Sequence, residues 1–139
     1  MFFGEHDHSL DDKGRITVPA SFREHLAGGA FVIRGPQCLV VFPRDTFETT
    51  IAPKLRRNPV SSDVPRIVNS GSAIEMDKAG RMLLPPALRR WAGIEPGDAA
   101  VIVGNDRHLE IWSRPAWDLF IAESMTSDSI VSGLREIGL

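Results

Sequence analysis

Two arginines stand directly after a glycine in two matching segments of this chain, and they are the side chains best suited to bind an anion. The first segment reads DDKGR and places Asp11 four positions before Arg15; the second reads DKAGR and places Asp77 four positions before Arg81. A planar guanidinium can grip phosphate or guanine through two hydrogen bonds. The repeated pattern therefore predicts two arginines, each oriented by an aspartate and offered to an anion.

The glycine before each arginine predicts a tight turn that determines where the arginine points. Gly14 and Gly80 can adopt a positive φ that other residues reach only at a cost. An aspartate can close such a turn by accepting hydrogen bonds from nearby backbone N–H groups. A structural interpretation stays open beside the binding one: each Asp–Arg pair is an exposed ion pair across a turn, worth about 0–1 kcal/mol.

Further basic residues accompany both segments at similar positions. Lys13 stands beside the first glycine and Lys78 lies near the second. The helices predicted after the two segments carry Arg23 in the first case and Arg89 with Arg90 in the second. Helical arginines usually belong to solvated faces, but the matched spacing allows both sets to join one basic surface.

The two segments belong to a longer internal repeat. Its shared pattern is D-x-x-G-R-h-x-h-P-x-x-h-R, where h is an apolar residue, and the two copies align over it without a gap. Matching strand sequences follow at slightly larger offsets, which indicates small loop insertions. We therefore divide the chain into unit 1 (5–47), a linker with a short helix (48–74), unit 2 (75–118) and a C-terminal helical tail (119–139).

The residue pattern of each unit predicts the same order of elements: a strand that ends at a proline, a helix, and two more strands. Pro19 and Pro85 suit the first helical turn, where a missing N–H costs no hydrogen bond. A unit of about 43 residues buries little apolar surface by itself, and the chain has one cysteine and no clear set of metal ligands. The predicted fold is therefore α+β, mainly β, with both units packed as an intramolecular pseudo-dimer barrel and flanked by helices.

The sequence also predicts the apolar face of the second helix and the glycines that end both helices. Leu88 and Trp91 are three positions apart and are expected on one apolar face of the second helix. Gly28 and Gly93 stand where a glycine in the left-handed conformation commonly ends a helix.

Metal-binding and enzymatic functions find little support in the residues. His6 and His8 are two positions apart, with Glu5 and Asp7 nearby, but a metal site needs three or four converging ligands and surface histidines are the simpler interpretation. Phosphate-loop, dinucleotide and nucleophile-elbow motifs are missing, so we predict no enzyme and no cofactor. Cys38 lies in an apolar run and is expected to be buried and inert.

The overall charge is weakly acidic and argues against a protein coated in positive charge. The formal net charge is −2, so basic residues must be gathered on one face or multiplied by assembly. No apolar stretch is long enough to span a bilayer and no signal-peptide pattern opens the chain, so a cytoplasmic protein is expected.

The segments GRITVPASFR and GRMLLPPALRRWAGIEPGD resemble the strand–helix–strand core of SpoVT-AbrB, or swapped-hairpin, DNA-binding domains. Two such units after the opening MFFGEHDHSLDDKGR resemble the MraZ family. The resemblance implies a bacterial transcriptional regulator that binds direct repeats upstream of the division and cell-wall gene cluster. It further implies a ring-shaped homo-oligomer associated with the nucleoid, and it makes Arg15 and Arg81 the first candidates for DNA contact.

The two copies differ, and one alternative function stays open. The first helix lacks a second arginine, so it is expected to contribute less to DNA binding than the helix with Arg89 and Arg90. The alternative is an antitoxin-like or scaffold module that binds a partner protein, with the stretch after Trp117 as its binding arm.

Overall fold

A computed structural model describes residues 1–57 and 63–139 of the chain. The strands of the first half are β1 (Glu5–Ser9), β2 (Arg15–Thr17), β3 (Ala30–Gly35) and β4 (Cys38–Pro43). Those of the second half are β5 (Ser72–Ile74), β6 (Arg81–Leu83), β7 (Ala99–Asn105) and β8 (His108–Ser113).

Each half has one helical segment after its second strand and another after its fourth strand. The first half contains α1 (Ala20–Arg23), a 3₁₀ turn (Glu24–Leu26), α2 (Arg44–Thr46), a π-helical segment (Phe47–Ile51) and α3 (Ala52–Arg57). The remainder contains α4 (Asp63–Asn69), α5 (Pro86–Ala92), α6 (Arg114–Ser124) and α7 (Asp128–Glu136). No helix in the described part of the chain combines the length and the apolar character needed to cross a bilayer.

The strands of the two halves pair with each other. The larger sheet has the order β1-β7-β8-β4-β3-β5, and β2 pairs with β6 in a separate two-stranded sheet. Strand β1 thus pairs with β7 of the second half, while β5 pairs with β3 of the first half. Strand β5 begins three positions before the unit boundary predicted at residue 75. Each half therefore completes the sheet of the other.

The larger of two apolar clusters draws on both sheets and on both halves. Ile16 and Met82 face each other across the β2–β6 pair and are fully buried, as are Val18 and, to 1% exposure, Leu84. Both copies thus bury equivalent residues in the same core. The predicted α+β fold is confirmed, as two sheets around a shared core, and the strands of residues 1–57 and 63–139 form no single closed barrel.

The ends of the two predicted helices differ from each other. Gly93 ends α5 in the left-handed conformation, with φ +69°, as predicted. The prediction for Gly28 is wrong, because the positive φ of +100° belongs to Gly29. Helix α1 continues into a 3₁₀ turn through Leu26, and Gly29 N–H closes it by donating to the Leu26 carbonyl.

The apolar face of α5 is also placed differently from the prediction. Leu88 and Ala92 are buried, four positions apart, whereas Trp91 is 51% exposed. The Trp91 indole Nε1 donates a hydrogen bond of 2.8 Å to the carbonyl of Gly35 at the end of β3. The side chain therefore lies partly exposed at the surface and is anchored to the end of β3.

Candidate nucleic-acid interface

The first turn is held together by the carboxylate of Asp11. Its Oδ1 accepts hydrogen bonds from the backbone N–H groups of Lys13 (3.0 Å) and Arg15 (2.8 Å). Its Oδ2 accepts from the Nε of Arg15 at 2.7 Å. Gly14 completes the turn with φ +83°, a conformation that glycine adopts without the penalty of a Cβ. One aspartate thus fixes both the turn and the arginine that follows it.

The second turn repeats this arrangement. Asp77 Oδ1 accepts from the backbone N–H groups of Ala79 and Arg81, each at 2.9 Å. Its Oδ2 accepts from Arg81 Nε at 2.8 Å, and Gly80 has φ +78°. Two sequences that agree at only three of five positions therefore build the same side-chain geometry.

Both carboxylates are favoured in their ionised form. The backbone N–H of Arg15 is the main cause that lowers the pKa of Asp11, and the Arg15 side chain lowers it further. The pKa of Asp77 is lowered in the same way by the backbone and then the side chain of Arg81. Each carboxylate binds Nε, and the two terminal nitrogens of each guanidinium carry no hydrogen bond within 1–57 and 63–139.

The two arginines lie on one face of the β2–β6 pair. Arg15 is opposite Leu83 in the register, and Arg81 is opposite Thr17. Since side chains alternate along a strand, these four residues share the outer face while Ile16 and its partner point into the core. We call this outer face, formed by Arg15, Thr17, Arg81 and Leu83, the arginine face.

The helix arginines cross from one half to the other. Arg23 in α1 lies over Gly80, and its Nε donates a hydrogen bond of 2.9 Å to the carbonyl of Val18. Arg89 in α5 lies over Gly14. Its Nε is buried and has no hydrogen-bond partner among the residues that the structure describes. Each turn is thus covered by a guanidinium from the other half.

The remaining predicted cations differ in their relation to the arginine face. Lys13 and Arg89 line a surface depression beside Leu83. Lys78 is exposed in the second turn, next to Asp77. Arg90 is exposed on α5, turned roughly 100° around the helix from its neighbour. The structure therefore brings the two turn arginines, the two helix arginines and Lys13 together, and leaves Arg90 to the side.

Two residues of the arginine face escaped the sequence analysis. Thr17 and Leu83 align in the repeat and follow their arginines by two positions. The period of two along a strand was the signal that could have placed them beside Arg15 and Arg81. Leu83 is notable because 58% of its side chain is exposed.

The histidines near the N-terminus pack against neighbouring groups. The His6 ring contacts the Phe22 ring edge-on, with centroids 4.9 Å apart. Burial is the main cause that lowers the pKa of His8, and both histidines are partly exposed at the surface. In the described ranges, no three His, Cys, Asp or Glu side chains converge as a metal site would require.

The family is decided by comparison of the sequence with known proteins. A family model described as "MraZ protein, putative antitoxin-like" matches residues 1–70 and again residues 67–132. This chain belongs to the MraZ family. The two matches follow one another along the chain, in agreement with the internal repeat.

Relatives in the MraZ family agree over nearly the whole length of the chain. A protein of Roseiflexus castenholzii is 43% identical over 123 residues, which is 84% of each chain. One from Arthrobacter sp. is 42% identical over 93% of each chain. One from Leifsonia xyli subsp. xyli is 37% identical over 96% of this chain and 99% of the relative. Each relative is named Transcriptional regulator MraZ.

Proposed function

We propose that this protein is a transcriptional regulator that binds double-stranded DNA through the arginine face. The observation that carries the proposal is the pair of guanidinium groups, each held by its aspartate and both on one face of β2–β6. The name of the MraZ relatives supports a role in transcription.

The geometry of the arginine face suits the major groove of DNA. That groove admits a two-stranded β-ribbon, and guanine offers O6 and N7 there as a pair of acceptors. Asp11 and Asp77 occupy the Nε atoms, so the terminal nitrogens of Arg15 and Arg81 remain for guanine or phosphate. Because the side chains are already oriented, binding loses less rotamer freedom than it would for a mobile arginine.

The surrounding cations would hold the DNA backbone. Lys13 and Lys78 flank the turns, and we assign phosphate contacts to them and to Arg23, Arg89 and Arg90. Such contacts release condensed counterions, so affinity should fall steeply as salt rises. Since Arg23 is tethered to a backbone carbonyl, its main contribution is to hold the second turn in place.

Assembly would multiply a basic face that is small on one subunit. The chain has a net charge of −2, so a single copy attracts DNA weakly outside the arginine face. A ring of subunits on successive direct repeats would raise affinity by about 10²–10⁴ through avidity. We propose that these repeats lie upstream of the division and cell-wall gene cluster, and that the protein acts in the cytoplasm at the nucleoid.

A protein-binding function is the second candidate, and the C-terminal helices favour it. Leu119, Met125 and Ile137 are 58–73% exposed on or near α6 and α7. The family description also contains the word antitoxin. A chain truncated after about residue 118 separates the two functions: loss of a bound protein partner, while DNA binding is unchanged, would support this candidate.

DNA binding is tested by anisotropy titration with a duplex that carries promoter direct repeats. Arg15→Ala and Arg81→Ala should each weaken binding roughly fivefold or more, since one bidentate contact to a base is worth about 1–3 kcal/mol. Arg135→Ala, which removes an exposed arginine of α7, is the control and should bind as the parent does. Parental affinity in both turn variants, at low and at high salt, would refute the proposal.

A further inference from the structure

We propose that Leu83 contacts the methyl group of a thymine in the major groove and thereby gives the arginine face a direction along DNA. This inference rests on the proposed DNA-binding function and adds a specificity-determining residue to it.

Leu83 is an exposed apolar side chain on a face that is otherwise polar. It is 58% exposed, whereas Met82 before it and Leu84 after it are buried. Its partner across the β2–β6 pair is Arg15, the first of the two DNA-binding candidates. Cross-strand neighbours lie about 5 Å apart, so both side chains can reach neighbouring base pairs, which are about 3.4 Å apart.

A depression in the surface lies beside Leu83 and has cationic walls. Its volume is about 400 Å³. It is lined by Lys13, Leu83, Leu84, Pro85, Pro86 and Arg89. Lys13 from the first half and Arg89 from the second would attract the phosphates of one DNA strand to the depression. Its apolar side chains would then contact the edge of the adjoining base.

Thymine presents the matching chemistry. Of the four bases, thymine alone carries a methyl group on its major-groove edge, and proteins read it by apolar contact. A leucine can bury that methyl group while Arg15, opposite to it, binds a guanine or a phosphate. The chemical class recognised by Leu83 is therefore a 5-methylpyrimidine edge.

The equivalent position in the other half carries a different residue. The register pairs Ile16 with Met82, so a pseudo-twofold axis relates Arg15 to Arg81 and Thr17 to Leu83. If the arginine face carried only the two arginines, it would make the same contacts with both halves of a DNA element. Thr17 is half-buried, and its side chain is one bond shorter than that of Leu83. Leu83 therefore makes the main contact with a thymine methyl group. The recognised element therefore has a direction, as the members of a direct repeat do.

The test measures the effect of single methyl groups on affinity. Duplexes that the parent protein enriches from a random pool are resynthesised with deoxyuridine in place of one thymine at a time. Deoxyuridine keeps the base pair and removes only the methyl group. We expect an affinity loss of about fourfold at one position, equivalent to the ~0.8 kcal/mol of one buried carbon group.

Two variants link that position to Leu83. Leu83→Ala should bind the thymine and deoxyuridine duplexes equally. Leu119→Ala removes a leucine of similar exposure, 59%, from α6 and should keep the parental preference. In the exchanged variant Thr17→Leu/Leu83→Thr, the sensitive thymine should move to the position related by the pseudo-twofold axis, on the opposite strand.

The possible results separate this inference from the function on which it depends. Parent protein that enriches no duplex would refute both. Sequence-specific binding that depends on Arg15 and Arg81 but is insensitive to every deoxyuridine would refute only the role of Leu83, as would a sensitivity that persists in Leu83→Ala. If the exchanged variant does not fold, as judged by circular dichroism, the Leu83→Ala comparison decides.

Discussion

Arg23 lies directly over Gly80, so closely that a Cβ on this glycine would overlap the guanidinium. The reciprocal contact joins Arg89 to Gly14. Each helix therefore covers the turn of the opposite half, and the two turns are held in a fixed relation by the same contacts that hold the two halves together.

The turn glycines should be more sensitive to substitution than a glycine that has the same backbone conformation in open space. Gly93→Ala meets only the cost of a positive φ, about 1–2 kcal/mol, because nothing lies within 4 Å of its added Cβ. Gly80→Ala must also displace Arg23, whose Nε is bonded to the Val18 carbonyl, so its loss of unfolding free energy should be the largest. Gly14→Ala displaces Arg89, whose Nε has no partner in the described chain, so its loss should lie between the other two. Urea denaturation of the three variants measures the difference; equal losses would contradict the overlap.

The two helix arginines should differ in their contribution to stability. Arg23→Ala removes a hydrogen bond to the Val18 carbonyl, worth about 1 kcal/mol. Arg89→Ala removes a buried Nε that has no partner in the described chain, so it also relieves a desolvation cost. We expect Arg23→Ala to lower the free energy of unfolding more than Arg89→Ala does, as measured by urea titration at pH 7. The reverse order would show that the Arg89 guanidinium makes stabilising hydrogen bonds, contrary to the unpartnered Nε.

Acid should weaken the turns through Asp11 and Asp77. The pKa of each carboxyl is lower in the folded protein than its usual 3.8, mainly because the following arginine's backbone N–H binds the ionised form. A lowered pKa means that the stabilisation is complete above pH 3.8 and is lost as pH falls through the folded value.

The measurement is the urea midpoint between pH 6 and pH 3. The double variant Asp11→Asn/Asp77→Asn should be less stable than the parent at pH 6 and should lose less on acidification. If the urea midpoints of both proteins fall equally with pH, protonation of Asp11 and Asp77 does not affect stability.

Cys38 should resist alkylation in the folded protein. Burial is the main cause that raises its pKa to about 12, and only 2% of the residue is exposed. At pH 8 the reactive thiolate is then about 10⁻⁴ of the total. Mass spectrometry should detect little iodoacetamide adduct in buffer and full modification in denaturant. Rapid modification in buffer would show that the start of β4 opens to solvent.

Features encoded within a few residues could be predicted from the sequence. Asp11 and Arg15 are four positions apart around a glycine, so their hydrogen bonds need only the local turn, and the same holds for the second copy. The repeat also predicted a shared core, because neither half has enough apolar residues to fold alone. The matched spacing of Arg23 and Arg89 indicated that they belong with the turns.

Tertiary structure alone decided which parts of the two halves meet. Strand β1 pairs with β7, and Arg23 covers Gly80, because the halves interlock around one core; no local pattern specifies a partner so far along the chain. Trp91 lies at the surface because a backbone carbonyl at the end of β3 was within reach of its indole. The period of two along β6 could place Leu83 beside Arg81, but only the register placed it opposite Arg15, since strand pairing decides which side chains are neighbours across a sheet.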